Sequence, residues 1–349
     1  MLPRLLLLYT GGTFGMDSVM SSSPGKSGSM VIPRLSPAAL RQRLRQRVPE
    51  LEEIARCDIE ILLNRDSAHV GPAEWAAFAR RIRASFKRYD GVVVLHGTDT
   101  LAYTASALSF LLRPCPKPVI LTGAQRPLSA LRTDARRNLI SAVEIAARGP
   151  RSLVNQVLVF FDDRLLVGNR ARKRSATEFG AFESPKAEPL AIVGTEIRYR
   201  SGSRAPLNRG GPKLEARFSD RVALLHLTPT SPYAAIAEKL LADLDGLVLV
   251  AFPSGTAPGK DEGFRSLLLA ARERKVPVVV ATEGVSSGLG KRSGAGSYEA
   301  GRIFSESGCY LAGEMTPECA FVKASLILGQ RRGRERFAQL WSTRLAGES

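Results

Sequence analysis

The sequence predicts two α/β domains with mostly parallel sheets flanked by helices, the N-terminal one larger. Apolar runs of strand length alternate with helix-period segments through most of the 349 residues, the pattern of a parallel sheet covered by helices. The length itself exceeds the ~250–300 residues at which single cores stop growing. The alternation breaks once, between about Thr195 and Asp220, where Gly, Pro, Ser and Arg crowd together without apolar periodicity. Residues 1–194 therefore read as the N-terminal domain, 195–220 as a linker and 221–349 as the C-terminal domain.

In order along the first domain, Leu5–Tyr9, Ile59–Leu63, Val92–His96, Val119–Thr122 and Val157–Phe161 read as strands, because each is a short apolar run. Between them, Pro37–Arg47, Pro72–Tyr89, Asp99–Arg113 and Thr133–Ala147 have helical spacing. Beyond the linker, strands Val222–Leu227, Gly246–Phe252 and Val276–Ala281 alternate with helices Pro232–Ala242 and Asp261–Arg274. Helices over Pro317–Leu328 and Glu335–Leu345 close the chain. Ser36-Pro37, Gly71-Pro72, Ser231-Pro232 and Thr316-Pro317 each set a capping-type residue before a first-turn proline. The Ser- and Gly-rich stretch 16–35 follows the first strand directly, where an active-site lid or an inert loop would sit.

Composition excludes several classes. No stretch approaches the roughly 18 apolar residues of a membrane span, so a soluble, cytoplasmic chain is expected. The opening run Leu5–Tyr9 is shorter than a signal-peptide core and no small-residue cleavage pattern follows it. Cys57, Cys115, Cys309 and Cys319 are scattered, as reduced thiols would be. His69, His96 and His226 form no ligand cluster, so no metal is expected. A formal charge of +17 raises nucleic acid as a partner. The basic runs at 41–47, 169–174 and 330–336 lack interleaved aromatics, and a solvated arginine face is the simpler account.

The chemistry-bearing stretches lie at strand ends. TGGTFG, from Thr10, lacks both the GxxxxGK[ST] and the GxGxxG spacing of phosphate loops. What remains is a strand that ends in Gly11 and Gly12, a tight turn, and projects the Thr13 hydroxyl. In DGVVVLHGTDTLAYT, from Asp90, the strand ends at His96, and Thr98 and Asp99 open a helix. Either residue could cap that helix; equally, both could hold a polar ligand near Thr13. A threonine hydroxyl attacks only when a base takes its proton. A lysine of lowered pKa could serve, yet Lys173 sits among Arg170, Arg172 and Arg174, and charge pattern alone does not single it out.

TGGTFGM, DSAHVGPAEW (66–75), LHGTDTLAYTASALSFLL, LTGAQRPL (121–128) and GNRARKRSATEFGAFESP (168–185) resemble the bacterial L-asparaginases of the cytosolic type I branch. The resemblance covers both domains and thins in the linker and the C-terminal half. It implies a flavodoxin- or Rossmann-like N-terminal domain and hydrolysis of the asparagine side-chain amide through a threonine acyl-enzyme, without cofactor, with some activity on glutamine. By the same resemblance Thr13 matches the nucleophile, and Thr98, Lys173 and Asp99 the group that activates hydroxyl and water. Asp99 also matches the acceptor of the substrate ammonium, and Asp66 and Ser67 the holders of its carboxylate. Gly12 and Thr98 match the oxyanion-binding N–H groups; Ala124 and Gln125 match the segment whose carbonyl orients the amide. A homodimer or homotetramer is implied, with a partner's C-terminal domain closing each site.

The match departs in two places. Val31 stands where the family usually has a lid tyrosine that supports the nucleophile. Neither the arginine nor the cysteine of a regulatory asparagine site appears in 250–258 or 282–288, so hyperbolic saturation is expected. Two other readings compete. The asparaginase-like subunit of glutamyl-tRNA amidotransferase suits the basic charge but carries a domain before TGGT, whereas here that motif begins at residue 10. A low-activity homologue acting as a binding protein suits the missing tyrosine, but not the joint presence of Thr13, Ser67, Thr98, Asp99 and Lys173.

Overall fold

The computed structural model describes residues 1–19, 29–31, 36–201, 212–284 and 299–348. The chain divides into two compact units, Met1–Ser184 with Glu188–Leu207, and Pro185–Ala187 with Asn208–Ser349.

The first unit contains strands β1 (Arg4–Gly11), β2 (Asp17–Val19), β3 (Ser29–Val31), β4 (Arg56–Arg65), β5 (Gly91–Leu95), β6 (Val119–Thr122), β7 (Val157–Phe161), β8 (Arg164–Val167), β9 (Arg172–Lys173), β10 (Phe182–Glu183), β11 (Ala191–Val193) and β12 (Ile197–Tyr199). Its helices are α1 (Pro37–Arg47), α2 (Leu51–Ile54), α3 (Pro72–Ser85), α4 (Leu101–Leu111) and α5 (Ala135–Arg148). Eight strands form one sheet in the order β12-β11-β8-β7-β6-β5-β1-β4. From β4 to β7 the pairing is parallel; β8, β11 and β12 extend it antiparallel. The parallel strands read as nearly unbroken apolar runs because helices cover both faces. Leu5, Leu6, Leu7 and Leu8 are all buried, each worth roughly 1.5–3 kcal/mol of removed apolar surface.

The chain begins one strand in from an edge, at β1, steps outward to the edge strand β4, and crosses to β5 on the other side of β1. This is the flavodoxin-like winding, and its direction reverses between β1 and β5. Ligands bind outside the carboxyl ends of strands at such a reversal. TGGT ends one of these two strands and HGTDT follows the other.

The second unit adds β13 (Val222–His226), β14 (Gly246–Ala251), β15 (Val278–Thr282) and β16 (Tyr310–Leu311), a parallel sheet in that order. Around it lie α6 (Tyr233–Lys239), α7 (Glu262–Glu273), α8 (Glu299–Glu306), α9 (Pro317–Leu328) and α10 (Phe337–Ser342). Ser36 and Thr316 cap their helices as expected, accepting from the N–H of Ala39 and Cys319. Ser231 does not: its hydroxyl meets Thr228, and α6 starts after Pro232.

The sequence reading needs correction where periodicity is short. Ile197–Tyr199, expected in the linker, is the edge strand β12, paired with β11. Three residues on a half-exposed edge make no periodic signal. The closing helix stops at Ser342 because the tail turns back. There Glu348, wholly buried, accepts from the N–H of Leu345 and Ala346 and pairs with buried Lys323 at 2.6 Å. Lys323 Nζ also donates to the carbonyls of Trp341 and Thr343. Burial by itself would raise the Glu348 carboxyl; the Lys323 charge and these hydrogen bonds hold it below the ordinary glutamate range. Its stabilisation is therefore present above the unfolded pKa and lost as pH falls through the lowered folded value. Lys323→Met strands a buried carboxylate and is expected to cost about 3–5 kcal/mol in chemical denaturation at neutral pH. A loss below 1 kcal/mol would count against this role.

Candidate active site

Three strand ends meet at the reversal. β1 slips register between Tyr9 and Gly11, and the Thr10 hydroxyl donates to the Leu95 carbonyl at 3.0 Å, tying β1 to β5. Gly11 and Gly12 take φ of +111° and +83°, where a side chain is strained. Gly12 also lies so close to Gly97 that a Cβ would overlap the Gly97 Cα. Gly97 in turn leaves no room beside Ser67, whose Cβ and Oγ would be 2.6 Å from an added Cβ. The glycines let the loops after β1, β4 and β5 touch backbone to backbone. Thr13, Ser67 and Thr98 are thereby gathered.

The Asp66 carboxylate accepts from the Ala68 N–H at 2.9 Å and shapes the turn that carries buried Ser67. The Thr100 hydroxyl donates to the Ser67 carbonyl at 2.7 Å and fastens that turn to the loop after β5. Asp99 does not cap α4, which begins at Leu101 after Thr100. Instead its carboxylate, 64% exposed, meets Lys173.

Lys173 arrives from β9, which pairs with β10 in a short hairpin. Its Nζ lies within hydrogen-bond distance of Thr98 Oγ1 and of Asp99 Oδ1, each at 2.7 Å. The neighbouring Arg174 turns the other way, to Glu178 at 2.7 Å and to the Gly180 carbonyl. Lys173 is thus set apart from Arg174: its side chain is 19% exposed against 45% for Arg174. The hydroxyl, carboxylate and amine lie where a proton could pass between Thr98 and Lys173.

The Gly12 N–H donates to the Arg65 carbonyl at 3.2 Å, so an oxyanion taking it must compete with that bond. His96 points into the fold as expected, between Phe78 and Thr104. Full burial pushes its imidazole down to about 4, against the opposing pull of the Gly97 carbonyl. The carbonyl can only accept, so the neutral ring donates to it from Nδ1 at 2.7 Å. Nε2 then accepts from Thr104, which itself accepts from the Trp75 indole at 3.0 Å. This chain makes His96 a brace for the Gly97 peptide rather than a base.

Ala124 is buried after β6, and the stretch around it rests on residues that sequence reasoning passed over. The Gln125 N–H donates to Asp134 at 2.9 Å, and the Gln125 amide reaches the Ser175 and Glu178 carbonyls beside the Lys173 hairpin. Asp134, just before α5, and Asn138, four residues on in TDARRN, are buried polar positions on one side of that helix. That spacing was the available signal.

The backbone sets Val31 in β3 opposite Asp17 in β2. The expected lid, 16–35, is otherwise only partly within the described residues: 20–28 and 32–35 lie outside them. So do 285–288 of the stretch compared with the regulatory site.

Fold and site together define the class: a two-domain α/β protein with hydroxyls, a lysine and a carboxylate gathered at a doubly wound switch point. The chain belongs to the asparaginase family. The family model for the asparaginase N-terminal domain matches residues 4–204, and that for the glutaminase/asparaginase C-terminal domain matches 221–341. It is 33% identical to L-asparaginase 1 of Escherichia coli over 99% of this chain and 97% of that one. It is 34% identical to the human 60 kDa lysophospholipase over 94% of its own length, but spans only 58% of that protein. The solved L-asparaginase of Thermococcus kodakarensis superposes with a TM-score of 0.83 at 30% identity, covering 99% of this chain and 98% of that one. L-asparaginase I of Vibrio cholerae gives 0.82 at 32%, over 100% and 99%.

Proposed function

We propose that this chain hydrolyses the side-chain amide of L-asparagine to L-aspartate and ammonia, with glutamine as a secondary substrate. Thr13 Oγ1 attacks the amide carbon as its proton passes to the amide nitrogen; the C–N bond breaks and ammonia leaves. Water then attacks the acyl carbon, giving a proton to Thr98 as Thr98 gives its own to Lys173, and the ester bond breaks as a proton returns to Thr13. In that step Lys173 takes the Thr98 proton and later returns it, and Asp99 orients the amine. Asp99 receives the substrate ammonium, while Asp66 and Ser67 hold its carboxylate. The Thr98 N–H, and the Gly12 N–H once it exchanges the Arg65 carbonyl for substrate, stabilise the developing oxyanion, and the Ala124 carbonyl orients the amide. The scheme needs no metal and no cofactor.

The observation that carries the reading is Lys173 Nζ at 2.7 Å from both Thr98 and Asp99, beside the Gly12–Gly97 contact. A homo-oligomer in the cytoplasm goes with it, nucleic acid and membrane being no part of the chemistry. Cysteines outside any disulfide fit that setting, the Cys57, Cys115 and Cys309 thiols being pushed up to about 12 by burial, with Asp58 adding to the effect at Cys57.

Ammonia release from asparagine and from glutamine tests the reading. Asparagine is expected to turn over faster, with hyperbolic saturation. Absence of ammonia from asparagine would overturn the activity, and a sigmoidal curve would overturn the lack of regulation.

A further inference from the structure

Asn138 has no part in the chemistry above, yet it is fully buried, on the same helix face as Ala135, Leu139 and Ala142. A buried carboxamide is costly unless its groups are bonded. The bonds described run to the Gly123 stretch, to Asp134 at the start of α5 and to the turn after β7. Nδ2 donates to the Gly123 carbonyl at 3.0 Å and to Asp134 Oδ2 at 3.2 Å, and Oδ1 accepts from the Asp162 N–H at 3.0 Å. Asp134 accepts from the N–H of Gln125 at 2.9 Å and of Arg126 at 3.0 Å. Asp162, in the turn between β7 and β8, takes a left-handed φ of +58° and pairs with Arg137.

The stretch Gly123–Arg126 is therefore clamped at both ends. A trans peptide is planar, with its C=O and N–H pointing opposite ways. Because the Gln125 N–H points at Asp134, the Ala124 carbonyl must point away from the clamp. On the far side of Gly123 the backbone runs against the His96 carbonyl, where a Cβ would collide. The carbonyl is aimed by two buried side chains, not by its own loop.

We infer that Asn138, acting through Asp134, is a positioning residue that aims the Ala124 carbonyl at the substrate's amide nitrogen. It thereby separates amide from acid. This rests on the reading of the site as one for asparagine. Aspartate offers no N–H to that carbonyl and is held by its α-ammonium and α-carboxylate at Asp99, Asp66 and Ser67. Loosening the clamp should weaken handling of asparagine and leave aspartate binding nearly untouched.

The test compares wild type with Asn138→Leu, which keeps the volume and removes the bonds. Asparagine turnover and its inhibition by L-aspartate are measured in both. The expected result is a 10- to 100-fold loss of kcat/KM for asparagine, the scale of a misplaced contact, with the aspartate inhibition constant changed less than about twofold. A parallel loss for both compounds, or kcat/KM within twofold of wild type, overturns the proposal. If Asn138→Leu does not fold by circular dichroism, Asp134→Asn, which keeps shape and loses the charge, is judged by the same two measurements. A wild type that neither turns over asparagine nor binds aspartate would instead sink the site reading, and this proposal with it.

Discussion

Thr13→Ala is expected to lower asparagine turnover by at least about 10⁴-fold, the scale of removing a covalent nucleophile. Substrate binding should survive, because Ser67 and Asp99 stand on other loops, after β4 and β5. Only the attacking atom is lost. Thr13 follows Gly12 at φ +83°, and its turn is pinned by the Met16 N–H donating to the Thr13 carbonyl at 3.1 Å. Alanine fits that backbone as well as threonine does. The check is single-turnover ammonia release together with asparagine binding by calorimetry. Turnover within tenfold of wild type would mean that another group attacks.

Lys173→Met is expected to lower kcat by about 10²–10⁴-fold, the usual contribution of a positioned general base. Lys173→Arg should fail almost as badly. It keeps the charge beside Asp99 but cannot give up its proton at neutral pH. The pair of variants separates two roles for an amine bonded to Thr98 and Asp99 at 2.7 Å. If arginine restores most of the activity, the amine serves as a fixed charge and the proton leaves Thr98 another way. The ion pair's own part in stability is small, because Asp99 is largely exposed.

Much of the fold was legible because it rests on local periodicity. Val119–Thr122 matches β6 to the residue, since a fully buried parallel strand is an unbroken apolar run. β8 and β12, by contrast, lie in stretches with little periodicity, and their places come from pairing with partners already in the sheet. At the site, glycines and threonines at strand ends pointed to a ligand edge before any geometry. Asp99 illustrates the limit: as a helix cap and as a partner of Lys173 it reads the same in sequence, and only the position of α4's first turn separates the two.

By itself the sequence determined that alternating strands and helices would build two α/β units, and that TGGT and HGTDT would end strands. Those features depend on residues within a turn or two of each other. Charge pattern left four neighbouring basic residues equivalent, and only the resemblance favoured Lys173; the tertiary structure brings Lys173 to Thr98 across 75 positions, and it alone decided which buried amide braces the Ala124 stretch. Such choices depend on strand order and loop closure, which bring distant segments together. No local pattern of charge or hydropathy encodes the direction in which Lys173 or Asn138 finally points.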